Sequence, residues 1–352
     1  MRYNFFFDKN SKLNGKDTII LGIESSCDDT SAAIIKNGKV LSNIVAGQKI
    51  HAKYGGVVPE LASRAHQQNI IPVVDTALKE AKISKSDLSA IAFTRGPGLL
   101  GSLIVGTSFA KSFALGLDIP LVEVNHMQGH ILAHFIQNDT ATPPNFPFIC
   151  MTVSGGHTQI VLVKDFFEME ILGQTIDDAA GEAFDKAAKI MGIPYPGGPL
   201  IDKYAKDGDS KKYPFPISNI KNYDFSFSGL KTSILYFLKK EMSKNPNFIT
   251  ENLADICASY QRTIIQTLFK KLIRAATDYG IKEVAIAGGV SANSLLRSEL
   301  ERIGKREGWK THIPSFEYCT DNAAMIAIAG HYKYLKAAFV GQDVVSDPRL
   351  KF

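Results

Sequence analysis

Ile149 to Val163 reads ICMTVSGGHTQIVLV, two apolar runs about a small-residue turn, and the fold class follows from it. An apolar run of strand length, ICMTV, enters the small-residue turn Ser154-Gly155-Gly156, and a second run, TQIVLV, leaves it. Short aliphatic runs bounded by glycine read as strands, and two of them around a tight turn read as a hairpin. The same design occurs earlier in the chain. Thr18 to Ile23 (TIILGI) reads as a buried strand, Glu24 to Thr30 as a polar turn, and Ser31 to Ile35 as a returning strand leading into an Asn37-Gly38 turn. A unit that recurs in this way implies two domains of related design.

Between the two hairpins, Val58 to Ala81 reads as a helix opening near Pro59, and Gly101 to Leu117 as a second helix flanked by the strands IAFTR and PLVEV. That is a β-α-β rhythm. In the second half, Asp178 to Met191, Leu253 to Tyr279 and Ser291 to Glu307 read as helices, with EVAIAG from Glu283 as a strand between the last two. The expected architecture is two-lobed α/β, divided near the proline-rich TPPNFP of Thr142 to Pro147. It assigns residues 1–17 to a loose tail, 18–145 to an N-terminal lobe, 146–320 to a C-terminal lobe, and 321–352 to a helix and tail packing back on the first lobe.

A chain of 352 residues, 45% hydrophobic and 21% charged, can bury two cores of ordinary size. Its net charge of +5 permits a nucleic-acid partner without demanding one. Cys27, Cys150, Cys257 and Cys319 are scattered with no C-x-x-C pair, which reads as reduced thiols of a cytoplasmic protein. The run Phe5 to Phe7 is too short for a signal-peptide core, and no stretch reaches the roughly 20 apolar residues of a membrane span. Secretion and membrane insertion are not expected.

His126 and His130, in NHMQGH, lie four apart, so on a helix they share a face and can share a metal ion; Asp321, in CTDNAAM, is read with them. On spacing alone the pair reads equally well as two half-buried histidines of an amphipathic helix. A zinc peptidase of the H-E-x-x-H type needs a glutamate after the first histidine, and Met127 stands there instead. His134 would rise about 12 Å from His126 along a helix, too far to join the same ion. Three small-residue loops, GIESSCDDT, TVSGGH and AIAGGVSAN, follow strands and offer successive amides to anionic oxygens. Gly96-Pro97-Gly98-Leu99-Leu100-Gly101 matches a dinucleotide fingerprint with Glu123 beyond it, but Pro97 removes an amide where the pyrophosphate would sit. Asp28 and Asp29 read either as turn caps or as catalytic acids, and Glu182 and Asp185 share a helix face. YPGGPLID, Tyr195 to Asp202, reads as a rigid loop shaped around a ligand.

Taken in order, GIESSCDDTSAAI, PELASRAH, GPGLLGSLIVG, NHMQGH, VSGGHTQI, DDAAGEAFDKAAK, YPGGPLID, DFSFSGLKT, AGGVSAN and CTDNAAM resemble the tRNA adenosine threonylcarbamoyltransferase family of the bacterial TsaD (Gcp) type, over about Ile19 to Lys333. The resemblance implies the actin, sugar-kinase and Hsp70-like ATPase fold, with a β-hairpin phosphate loop in each lobe. It implies His126, His130 and Asp321 as ligands of one divalent ion, Fe²⁺ or Zn²⁺ with the family leaning to iron. It makes Thr152, Val153, Ser154, Gly155, Gly156, Asp185, Gly198, Asp202 and Asn293 the nucleotide and substrate contacts, and Asp28 and Asp29 are the catalytic candidates, Asp28 for handling the attacking amine's proton. Asp29 stands where many members carry glutamate, which shortens its reach. The implied reaction moves threonylcarbamoyl from threonylcarbamoyl-AMP to a tRNA adenosine. A metallopeptidase, or a nucleotide-binding scaffold or kinase of the same superfamily, is the alternative. The implied partners are tRNA, a paralogous TsaB subunit and a TsaE ATPase. The small-residue helix Gly101 to Leu117, with its neighbour Val58 to Ala81, is the expected docking face for the paralogue.

Overall fold

The computed structural model describes residues 17–137 and 142–352, so the tail expected before Asp17 lies outside the described residues. It divides into two compact units, the first built from residues up to 48 together with 59–141 and 322–351, the second from 49–58 and 142–321.

The first unit holds β1 (Ile19–Glu24), β2 (Thr30–Lys36), β3 (Lys39–Ala46), α1 (Pro59–Ala81), β4 (Ala90–Gly96), α2 (Leu100–Leu117), β5 (Leu121–Asn125), α3 (His126–Leu132) and, from the far end of the chain, α9 (Ala323–Leu335). The second holds β6 (Phe148–Val153), β7 (Thr158–Asp165), β8 (Glu168–Gln174), α4 (Ala180–Ile190), α5 (Gly197–Ala205), α6 (Ser228–Met242), α7 (Phe248–Asp278), β9 (Glu283–Ala287), α8 (Ser294–Glu307) and β10 (Lys310–His312). The sheet orders are β3-β2-β1-β4-β5 and β8-β7-β6-β9-β10. In each, the first strand pairs antiparallel with its hairpin partner and parallel with the strand that follows the crossover. The repeat read from the two hairpins is therefore a duplication of the whole sheet.

Alternation along β1 builds the first core. Ile19, Leu21 and Ile23 join Ile91 and Phe93 of β4 beneath α1 and α2. The residues between them face α9: a Cβ on Gly22 would lie 2.5 Å from the Ala323 carbonyl oxygen, and one on Gly330 would lie 2.3 Å from the Ala92 Cβ. Both faces of β1 are covered, which is why the strand reads as an unbroken apolar run. Each fully buried aliphatic side chain there contributes about 1.5–3 kcal/mol. Among the described residues, α2 is the one helix whose length and apolar content would suffice to cross a membrane. Here it packs on α1 and β4, burying Leu103, Ala110 and Ala114.

Two local readings change, and a third, the helix from Leu253, gains a preceding turn. YPGGPLID is not a loop beyond Pro196, because α5 begins at Gly197. The glycines are tolerated because Asp185 accepts both their amides, at 2.8 and 3.2 Å, and because a Cβ on Gly197 would sit 2.2 Å from the Ala188 Cβ. α7 starts at Phe248 and leaves helical geometry at Asn252 (φ −123°, ψ 16°), just before the expected start at Leu253. Gly289–Ala292 form a 3-10 turn, so α8 starts at Ser294, capped by the Asn293 side chain.

One substitution type carried out at two glycines tests this packing. Gly22→Ala forces a methyl against the backbone of α9 and is expected to cost about 1–3 kcal/mol. Gly116→Ala, on an exposed stretch of α2 with open space around it, is expected to raise stability by up to about 1 kcal/mol. Urea midpoints of the purified variants read both, and shifts of the same sign would contradict the close seating of α9.

Candidate metal centre and ligand loops

In the first unit, β5 runs straight into α3 because Asn125 caps the helix, its side-chain oxygen accepting the amides of Met127 (2.9 Å) and Gln128 (3.2 Å). His126 and His130 are both buried on this helix, their rings perpendicular with centroids 4.7 Å apart. Gly129 between them lets α9 come close, since a Cβ there would lie 3.0 Å from Ile326 Cδ1. Asp321 immediately precedes Asn322, the N-cap of α9. The Ala323 amide donates to Ser31 Oγ (2.8 Å) and the Ala324 amide to Asn43 Oδ1 (3.3 Å), which fixes that helix end on β2 and β3. One ligand atom each from His126, His130 and Asp321 lies within 4.8 Å of the others. Two imidazoles and one carboxylate brought this close are a donor set suited to a single divalent ion. His134 lies outside this group, as its helical rise implies.

Glu24 reads in the sequence as the first residue of a polar turn, but it is the last residue of β1 and is fully buried. Its Oε2 lies 3.1 Å from His126 Nδ1 and accepts from the Thr94 hydroxyl at 2.6 Å, while its Oε1 accepts the Ser26 amide. The only sequence signal was an acid in register at the end of an apolar strand.

Asp28 and Asp29 are half-buried on the loop that follows. The Cys27 carbonyl accepts from Ser102 Oγ of α2 (3.0 Å) and lies 2.9 Å from His66 Nε2 of α1, and the Ser26 carbonyl accepts the Leu99 amide (2.8 Å). The dinucleotide-like turn has other work. The Gly98 amide donates to the Pro348 carbonyl (3.2 Å), a Cβ on Gly96 would collide with the Asp347 carbonyl, and Glu123 is paired with Arg95 at 2.7 Å.

In the second unit, Ser154 to His157 form the tight β6–β7 turn, closed by the Ser154 amide donating to the His157 carbonyl (2.8 Å). Gly155 and Gly156 are exposed at its tip with open space around them. Thr152 and Val153 are the buried end of β6. The start of α4 presses on this turn: the Gly181 amide donates to the Ser154 carbonyl (3.1 Å), and a Cβ on Gly181 would lie 2.6 Å from the same oxygen. Gly288 (φ +86°) passes equally close to the Val153 carbonyl, so its left-handed backbone and its missing side chain are both required. Glu182 and Asp185 share a helix face but not a task. Glu182 pairs with Lys186 (2.8 Å), whereas Asp185 turns to the amides of Gly197 and Gly198. Asp202 accepts from the Ser294 amide (3.1 Å) and hydroxyl (2.7 Å), and Asn293 donates to Gln261 Oε1 (2.7 Å) while capping α8. These two residues hold the start of α8 in place. Asp202 and Gln261 also line a cleft of about 900 Å³ against α7 and α8.

The family described as TsaD, tRNA N6-adenosine threonylcarbamoyltransferase, matches residues 39–328. A protein of that name from Christiangramia forsetii is 63% identical over 333 residues, covering 95% of this chain and 98% of its own. One from Porphyromonas gingivalis is 58% identical over 337 residues (95% and 99%), and one from Thermosipho africanus 48% identical over 338 residues (95% and 99%). The chain belongs to the tRNA N6-adenosine threonylcarbamoyltransferase family. Among solved structures, HypF of T. kodakarensis is similar in fold at 15% identity and a TM-score of 0.58, covering 93% of this chain and 49% of that one. Component A of the Acidaminococcus fermentans (R)-2-hydroxyglutaryl-CoA dehydratase follows at 16% identity and 0.50 (92% and 100%). With the duplicated sheets, these neighbours give this threonylcarbamoyltransferase-family chain the two-lobed ATPase-like fold.

Burial raises the pKa of Asp185 above the ordinary carboxylate range, against the opposing pull of the Gly197 and Gly198 amides. The ionised carboxylate therefore costs folding stability at neutral pH, and the cost fades as pH falls through the raised pKa and the group protonates. Both amides bond to the same oxygen, so Asp185→Asn keeps them and removes the charge. The variant is expected to melt at or above the wild-type temperature at pH 7, with the difference shrinking toward acid pH. Thermal melts across that range check it; a variant less stable than wild type at pH 7 would contradict the assignment.

Proposed function

We propose that this chain transfers threonylcarbamoyl from threonylcarbamoyl-AMP to the exocyclic amine of the adenosine just 3′ of the anticodon, in tRNAs reading codons that begin with A, releasing AMP in the cytoplasm. One observation carries the reading: His126, His130 and Asp321 converge in a chain of the threonylcarbamoyltransferase family. The amine nitrogen bonds to the carbamoyl carbon, the bond from that carbon to the phosphate oxygen breaks, and the amine releases a proton. Adenine's exocyclic amine is a poor nucleophile because its lone pair is delocalised into the ring. The site must therefore orient the carbonyl, stabilise the oxyanion and accept the proton.

His126, His130 and Asp321 would hold the ion, and two imidazoles with one carboxylate suit Fe²⁺ or Zn²⁺, with the family leaning to iron. When bound, it supplies Lewis-acid stabilisation to an anionic oxygen without a redox step. The exposed amides at Gly155 and Gly156 receive anionic oxygens, with Thr152, Val153 and Ser154 holding the turn in shape. Asp185 presents the Gly198 end of α5 to the nucleotide, and Asp202 and Asn293 hold the start of α8 for it. Asp28 takes the amine proton, with Asp29 beside it on the same loop. A peptidase reading has nothing comparable, since Met127 stands where its general base belongs.

The partners on this reading are a TsaB-type paralogue and a TsaE ATPase. Supporting the first, Ile104, Ser108, Ser112 and Leu115 recur at helical spacing on the solvent side of α2, with Ile104 47% and Leu115 56% exposed. Exposed branched aliphatics interleaved with small residues permit close helix approach.

Depletion of the protein is expected to remove threonylcarbamoyladenosine from digested tRNA, as read by mass spectrometry. Wild type should restore it, whereas His126→Ala and Asp321→Ala, folded but depleted of metal, should not. Loss of a ligand itself should exceed the about 10–100-fold effect typical of an outer-shell residue. An unchanged nucleoside profile would sink the proposal. Ser108→Glu or Ser112→Glu is expected to weaken co-elution with the paralogue on size exclusion without unfolding the chain. Unaltered co-elution of both variants would put the contact elsewhere.

A further inference from the structure

Glu24 presents a problem of cost. A fully buried carboxylate at the end of an apolar strand is expensive, and an apolar residue of similar volume would serve folding at least as well. Its hydrogen bonds offset the cost while fixing it in place: the Ser26 amide holds Oε1, and the Thr94 hydroxyl holds Oε2. Oε2 is thereby aimed at His126 Nδ1, 3.1 Å away. An ionised carboxylate only accepts, so this contact is satisfied when Nδ1 carries the proton.

We propose that Glu24 is a positioning residue of the metal centre, fixing the tautomer and ring orientation of His126 so that Nε2 is the nitrogen offered to a divalent ion. The inference rests on the metal reading of His126, His130 and Asp321. Histidine ligands elsewhere are oriented in the same way, by a carboxylate on the second ring nitrogen. The competing anchor is Ser26 Oγ, also 3.1 Å from Nδ1. A hydroxyl both donates and accepts, so it tolerates either tautomer, and only the carboxylate discriminates.

Glu24→Gln separates shape from tautomer. Its side chain has nearly the same volume and can keep the Ser26 amide on its oxygen, but its NH₂ would then face Nδ1 as a donor. That favours the proton on Nε2, the tautomer unable to ligate through that nitrogen. Co²⁺ is titrated into metal-free wild type, Glu24→Gln, Ser26→Ala and His130→Ala, following the absorption bands of the coordinated ion, and each metal-free protein is melted. The expected result is about 10–100-fold weaker Co²⁺ binding by Glu24→Gln, with a metal-free melting temperature near wild type and Ser26→Ala binding close to wild type. Wild-type affinity in Glu24→Gln, or an equal loss in Ser26→Ala, overturns the proposal. If Glu24→Gln does not fold, Glu24→Asp, which withdraws the carboxylate by one methylene, is read by the same criteria. A wild type that binds no Co²⁺, or whose affinity survives His130→Ala, overturns the metal reading and this proposal with it. Retention in Glu24→Gln alone removes only the proposal.

Discussion

The first unit depends on how closely α9 can lie on the sheet. Gly22 on β1 and Gly330 on α9 remove the side chains that would hold helix and strands apart, and Gly129 does the same between α9 and α3. Close packing gains many small dispersion contacts, but it leaves no slack: a single methyl at Gly22 would meet backbone. The functional consequence is geometric. Asp321 is one peptide bond from the cap of α9, His126 opens α3 and His130 follows one turn later, so the registry of one helix against another sets the spacing of the three side chains.

Those elements that follow from local pattern were legible in the sequence. Both hairpins, α1 and the parallel strands were readable because covered strands are uniformly apolar and their turns are marked by small residues. The His126–His130 pair was readable because its spacing is local, whereas joining Asp321 to it took a family resemblance, since no periodic signal links positions so distant in the chain. α5 was not readable, because Pro196-Gly197-Gly198 carries every local mark of a loop, yet the helix starts at Gly197, where Asp185, on another helix, accepts the Gly197 and Gly198 amides. Glu24 failed for a related reason: a charged residue after a strand signals solvent unless its donors are known, and those donors come from Ser26 and Thr94.

Acids in the second unit repeatedly serve backbone amides. Asp185 holds the start of α5 and Asp202 the start of α8, while Asp177 accepts the amides of Phe227 (2.8 Å) and Ser228 (3.3 Å) and the hydroxyls of Ser226 and Ser228 at the start of α6. The first turn of a helix has unsatisfied N–H groups and a partial positive charge, so a carboxylate there is stabilised. For Asp177 the hydrogen bonds overcome the opposing effect of burial and hold the carboxyl below its usual range. For Asp185 burial wins. The same motif thus leaves the pKa of an acid lowered on an exposed segment and raised where water is scarcer.

Support for the candidate site around His126 reaches the segment beyond α9. Beyond α9 the backbone returns over β4 and α2, where the Asp347 amide donates to the Arg95 carbonyl (2.9 Å), Lys111 Nζ donates to the Val344 carbonyl (3.0 Å), and Thr107 and Ser346 share a hydroxyl contact (2.8 Å). That strap receives the Gly98 amide on the Pro348 carbonyl, next to the Leu99 amide, which donates to the carbonyl of Ser26. Ser26 in turn gives its amide to Glu24 and places its hydroxyl beside His126. The turn that resembles a dinucleotide fingerprint is therefore a spacer whose glycines let the strap and the Ser26 loop close on it from two sides. Glycine spacing in a sequence reports only that something must come close; in this chain the approaching groups are its own C-terminal backbone and the loop that places Ser26 beside His126.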